Sequence, residues 1–241
     1  MDELLTEKAL NQLVEKLCAA HGKNLKSVIL YGSGATGETH GGYSDLNVLT
    51  VLEQLGVKEL EASEAVFHWW REKGNPAPLL MTAGEVRGST DCFPIEFHDI
   101  AERKRVLYGE DVTEGLEIDD GFYRAQVEHE LRAKLLRLRQ KAAGVLKNKE
   151  LLLRLMCDSV STFCVLGRHA LRLAGHPAPW AKRAVVEQLR GAFGVEGRSF
   201  DMLLSLREGK AQARGVDAAG LFAQYLGEIS ALAAAVDRLE R

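Results

Sequence analysis

Apolar residues in the first part of the chain fall at two different periods. Over residues 4–20, Leu4, Leu5, Leu10, Leu13, Val14 and Leu17 recur near helical spacing, and His21-Gly22 follows as a stop signal. Residues 26–31 (KSVILY) and 46–52 (LNVLTVL) are short apolar runs rich in β-formers, which predict two strands. Between them, residues 32–44 hold five glycines and read as a turn-rich connection. Residues 57–73 return to a helical period, broken by Gly74-Asn75-Pro76. Residues 78–82 predict a third strand. Residues 93–97 (FPIEF) alternate, with Phe93, Ile95 and Phe97 on one face and Glu96 and His98 on the other, and predict a fourth. Pro94 suits an edge or a strand start there.

Beyond about residue 120 only the helical period remains. Val127, Leu131, Leu135, Leu138 and Ala142 mark one long helix with a charged outer face. Residues 151–173, 181–193, 200–208 and 218–239 predict four more. The expected organisation is an α+β part over residues 1–115, a mixed sheet with helices, followed by an all-helical bundle over residues 116–241. No internal repeat or low-complexity tract interrupts it.

Charge sharpens that division. Residues 1–120 carry 11 Lys and Arg against 22 Asp and Glu, whereas residues 121–241 carry 20 against 12. Two units with different surfaces follow. Either they are charge-complementary, or the basic half faces an anionic ligand held on the acidic half. The start lacks the basic and apolar regions of a secretory signal, and no stretch approaches 18 consecutive apolar residues, so no membrane span is expected. The four cysteines show neither CxxC pairing nor finger spacing, which predicts free thiols in a reducing cytoplasm. Cys157 and Cys164, a heptad apart among Leu and Met, read as core residues.

Candidate chemistry begins at the glycine turn. Gly32-Ser33-Gly34-Ala35-Thr36-Gly37 matches the G-x-G-x-x-G of dinucleotide-binding folds, with Glu53 placed at a strand end beyond it. That fold needs a crossover of about 10–12 residues or more between parallel strands. Residues 38–44 number seven and include Gly41-Gly42, too few for such a helix. A Walker loop is excluded as well, because no Gly-Lys-Ser/Thr follows.

The arrangement of an apolar strand, Gly32-Ser33, eleven residues, and then Asp45-Leu46-Asn47-Val48 resembles the polymerase-beta-type nucleotidyltransferase superfamily, whose pattern is Gly-Ser followed by Asp-x-Asp. The resemblance spans about residues 26–110. The later order, with Glu96 and then Arg105-Val106-Leu107-Tyr108-Gly109, is similar to aminoglycoside nucleotidyltransferases, which also place a helical domain second. It implies transfer of a nucleoside monophosphate from a nucleoside triphosphate, ATP among them, to an acceptor hydroxyl. Gly32 and Ser33 would hold the triphosphate. Asp45 and Glu96 would be catalytic, and Asp45, Asn47 and Glu96 would ligate Mg²⁺ or Mn²⁺. The helical half would close the cleft and choose a small-molecule or macromolecular acceptor.

The residue types suit that chemistry. Glycine lets backbone approach phosphate closely, and exposed amides with a hydroxyl hold its oxygens. Side chains at i and i+2 of one strand share a face and can hold divalent ions about 3.5–4 Å apart. A third carboxylate can take the acceptor's proton. Asn47 departs from the pattern: an amide oxygen ligates a metal without contributing charge. The alternative is therefore a degenerate, catalytically weak nucleotide-binding module with a regulatory or partner-binding role.

Other residues carry plainer readings. His98 and Asp99 read as surface, Trp69-Trp70 as helix packing, and Arg124 with His129 as a chance pair. Arg132, Lys134, Arg137, Arg139 and Lys141 point several ways round one helix without interleaved aromatics, which argues against a nucleic-acid surface.

Overall fold

A computed structural model describes residues 3–36 and 46–239. The chain forms two compact units, residues 1–120 and 121–241.

The first unit is built on a four-stranded mixed sheet of order β3-β2-β1-β4. Strand β1 (Leu25–Tyr31) pairs antiparallel with β2 (Asn47–Leu52) and with β4 (Lys104–Gly109), while β2 runs parallel to β3 (Leu79–Thr82). The antiparallel β1–β2 pair excludes a dinucleotide-binding crossover, which joins parallel strands. Both faces of the sheet are covered, which is why β1 and β2 read as unbroken apolar runs. On one face Val28, Leu30, Val48 and Leu52 pack with Leu10, Leu13 and Leu17 of α1 (Glu3–His21) and with Val66 and Trp70 of α2 (Val57–Glu72). On the other, Ile29, Tyr31, Leu49 and Val51 meet Val86 of α3 (Ala83–Gly88) and Phe97 and Ile100 of α4 (Pro94–Glu102).

The strand expected over residues 93–97 is corrected by this structure: the segment is the start of helix α4, and the fourth strand is β4. Pro94 occupies the first turn, where its missing amide hydrogen costs nothing. Ile95, Phe97, His98, Asp99 and Ile100 are all buried, a set too contiguous for the alternation of a half-exposed strand. His98 and Asp99 are thus also corrected, from surface to buried, at 5% and 7% exposure.

The second unit is helical: α5 (Tyr123–Ala143), α6 (Lys149–Leu173), α7 (Lys182–Phe193), α8 (Arg198–Arg207) and α9 (Ala218–Asp237). Asn148 caps α6 and Asp217 caps α9, each accepting an orphan amide hydrogen of the first turn. Phe163, Phe200 and Tyr225 form an edge-to-face cluster in its core. By length and composition α9 could cross a bilayer, with a mean hydropathy of 1.3 over 18 residues. Its Leu221, Phe222, Tyr225, Ile229, Leu232 and Val236 are instead buried in this bundle. In α6 the Arg168 guanidinium lies 3.8 Å from the Trp180 ring centre and meets Nε2 of His169 at 3.0 Å. The Nδ1 of that histidine is 2.5 Å from the Tyr123 hydroxyl. The four cysteines are free, as expected, and Cys164 is buried in the core with its thiol pushed up to about 12 by desolvation.

Candidate active site

Strand β1 delivers the glycine turn. It ends at buried Tyr31, and Gly32 follows with φ of +77°, a left-handed conformation that glycine adopts without the steric cost of a Cβ. The Gly32 amide donates to the Arg103 carbonyl at 3.0 Å, tying the turn to the residue before β4. A short 3₁₀ turn, Gly32–Thr36, continues from there, with Ser33 half-buried. Asp45 lies outside the described residues.

Asn47 opens β2 directly opposite Tyr31. Paired residues of antiparallel strands point to one face, so Asn47 and Tyr31 share the face that carries Leu49, Val51 and helix α4. Glu96, in the first turn of α4, reaches the same place. Burial, and then the neighbouring Glu96 carboxylate, push the Tyr31 phenol well above its ordinary range. Two of the sequence-derived ligands, Asn47 and Glu96, are thus brought to Tyr31, at the end of the strand from which the Gly32-Ser33 turn springs. Glu96 reaches this place from a helix rather than from the strand that the alternation predicted.

Two features of this face are not visible in the spacing of residues. His98 holds Asp120 at 2.6 Å, fastening α4 to the last residue of the first unit. Beside Glu96 opens a cavity of about 330 Å³, walled by Leu49 and Phe97 from the core, by Leu79 and Met81 of β3, and by Phe93 at the start of α4. No periodicity in the chain encodes it, and Phe93, read from the sequence as one of an apolar strand face, stands 46% exposed at its mouth.

The donor chemistry around Tyr31 is all oxygen: a carboxylate at Glu96 and an amide carbonyl at Asn47. Such hard donors fit Mg²⁺ or Mn²⁺ rather than a thiolate- or imidazole-seeking metal. Among the described residues no three His, Cys, Asp or Glu side chains gather into a metal-binding group.

No protein-family model and no curated protein matches the chain. Among solved structures it is similar to spectinomycin adenyltransferase AAD(9) from Enterococcus faecialis, a structure with ATP and spectinomycin. The identity is 13%, the match covers 95% of this chain and 98% of that one, and the TM-score is 0.58. What the likeness shows is the architecture: the chain shares the fold of that adenyltransferase, here a mixed-sheet unit followed by a helical one.

Proposed function

We propose that this chain is a nucleotidyltransferase that moves a nucleoside monophosphate from a nucleoside triphosphate to an acceptor hydroxyl. One observation carries the reading: two other segments of the chain, at Asn47 and at Glu96, come to Tyr31, the residue from which the left-handed Gly32 turn starts. Gly32 would let the backbone approach the triphosphate, and its oxygens would be held by amides of the turn beyond Gly32, whose own amide hydrogen goes to Arg103, and by the Ser33 hydroxyl. The acceptor oxygen attacks the α-phosphorus, the new O–P bond forms, and the bond to the β-phosphate oxygen breaks to release pyrophosphate. Glu96 takes the acceptor proton. Asp45, Asn47 and Glu96 would hold Mg²⁺ or Mn²⁺, which when bound neutralises charge on the triphosphate and on the leaving pyrophosphate. ATP is the first donor to try, since the structural neighbour was solved with it, and a small molecule is the first acceptor class. Four free thiols suit a reducing cytoplasm.

The reading is tested with labelled nucleoside triphosphates and either metal, following binding and pyrophosphate release in the native chain and in Ser33→Ala, Asp45→Ala and Asn47→Asp. Binding weakened by Ser33→Ala and release abolished by Asp45→Ala are the expected results. No binding of any triphosphate ends the proposal. A second reading, a nucleotide-binding module without turnover, is favoured by the uncharged amide at Asn47. It is established if the native chain binds but releases no pyrophosphate, and Asn47→Asp alone restores release.

A further inference from the structure

The cavity beside Glu96 bears on which acceptor the site takes. Seven of its ten lining side chains are apolar, and it has the size and make-up of a small-molecule site. Its polar residues are Glu85, Ser89 and Glu96. Glu85 is engaged by its own helix cap, where it accepts from the Thr82 amide at 2.7 Å and the Thr82 hydroxyl at 3.0 Å. Glu96 lines the cavity and also acts on Tyr31, the residue before the Gly32 turn. Along β2, Asn47 and Leu49 are successive residues of one face, so the cavity wall begins where the proposed metal ligand ends.

That placement assigns the occupant. On the transferase reading the triphosphate belongs to the turn, and Glu96 both lines the cavity and bears on Tyr31, the residue before that turn. A molecule seated among Leu49, Leu79, Met81 and Phe93 therefore presents its polar end to the carboxylate that takes the proton. From this geometry we infer that the cavity is an acceptor subsite for a hydroxyl carried on an apolar, aromatic or alicyclic body. This rests on the transferase reading above. A polyamino sugar fits the walls poorly, because its hydroxyl and ammonium groups would lose water against Leu, Met and Phe without gaining partners. In the reaction, the single hydroxyl of such an acceptor forms the O–P bond, its proton passes to Glu96, and pyrophosphate leaves.

The probes are 4-phenyl-1-butanol and, as a polyol control, myo-inositol. Their binding to the full chain is measured by saturation-transfer NMR without nucleotide, and pyrophosphate release is followed with ATP and Mn²⁺. Phenylbutanol should bind saturably and raise pyrophosphate release, and inositol should do neither. Phe93→Ser, at a side chain 46% exposed, and Met81→Lys should each weaken phenylbutanol binding by roughly tenfold or more. Unchanged thermal melting and ATP binding in these variants show that they fold. Equal phenylbutanol binding by the native chain and Phe93→Ser, or stronger release with inositol or spectinomycin, overturns the subsite. Failure of ATP to bind at all, with phenylbutanol binding intact and sensitive to Phe93→Ser, instead strikes the transferase reading and with it the acceptor role of the cavity.

Discussion

Glu96 combines three circumstances that few carboxylates share: it is half-buried, it stands in the first turn of a helix, and it lies near a buried phenol. Glu96→Gln keeps the shape and removes the charge. It should lower the rate of pyrophosphate release by about 10²–10⁴-fold, the usual contribution of a general base, and weaken metal-dependent triphosphate binding by a much smaller factor. Parallel turnover and equilibrium-binding measurements separate the two. The same variant should bring the Tyr31 pKa down in an ultraviolet titration, though not to its ordinary value, because burial is the larger cause of its shift. His21 shows the opposite case, a group that burial holds neutral. The Ser63 hydroxyl donates its one proton to the Glu59 carbonyl at 2.8 Å, so the contact with His21 Nε2 at 3.1 Å has the ring as donor. Desolvation lowers the His21 pKa against a smaller opposing pull from Glu59. The unfolded chain therefore binds the proton more readily, and the contribution of this site to stability, present above the ordinary value near 6.5, is lost as the pH falls through the lowered folded value. Denaturant midpoints should fall between pH 7.5 and pH 5, and His21→Gln should flatten that slope.

At the scale of elements, most of the fold follows from hydrophobic period, and the exceptions have identifiable causes. Strands β1, β2 and β3 and the long helices stand where their apolar residues predict. Residues 93–97 mislead because Phe93, Ile95 and Phe97 alternate by chance. The burial of His98, Asp99 and Ile100, which identifies a helix, depends on a sheet face assembled from distant residues. Strand β4 is hidden for the opposite reason: at the sheet edge none of its residues is fully buried, and Lys104 and Arg105 weaken its apolar signal. Lys104 forms an ion pair with Asp111 at 2.8 Å, and Arg105 with Glu7 of α1 at 2.8 Å. Of the site, Gly32, Ser33 and Asn47 were legible from a local motif. The approach of Glu96 to Tyr31 and the cavity beside it were not, since both depend on how α4 docks. The end of β4 gives a direct test of the register. Gly109 has φ of +74°, and a Cβ there would meet the Lys26 carbonyl oxygen at 1.9 Å. Gly109→Ala should cost at least ~1–3 kcal/mol from the left-handed backbone alone, and more from the clash, read as a lowered denaturation midpoint. A midpoint equal to the native one would contradict the pairing of Gly109 with Ser27.

At the scale of the molecule, each unit encloses a core of its own. The helical unit buries Val127, Leu131, Met156, Phe163, Leu203, Tyr225 and Ile229 among its own helices, and a covered side chain of this size contributes roughly 1.5–3 kcal/mol. Residues 121–241 expressed alone should therefore give a strongly helical circular dichroism spectrum and a cooperative thermal melt. A non-cooperative melt would mean that this core is incomplete without the first unit. The net positive charge of the fragment, 20 basic against 12 acidic residues, should make it elute from a cation exchanger at a pH where the whole chain, with a net charge of −3, does not bind.

Strand β1 has one further consequence. It is flanked by β2 and β4, so both its edges are hydrogen-bonded, and its Val28, Ile29 and Leu30 are wholly buried. Amides so placed open only with the unit as a whole, and their exchange with deuterated solvent should be the slowest in the sheet, with nucleotide or without it. The Gly32 turn hangs from the end of that strand and is held at its first amide by Arg103. That bond uses the only hydrogen of the Gly32 amide, so a ligand would meet the turn beyond it, on a segment whose start is already fixed, and less of the binding free energy would be lost in stilling the chain there.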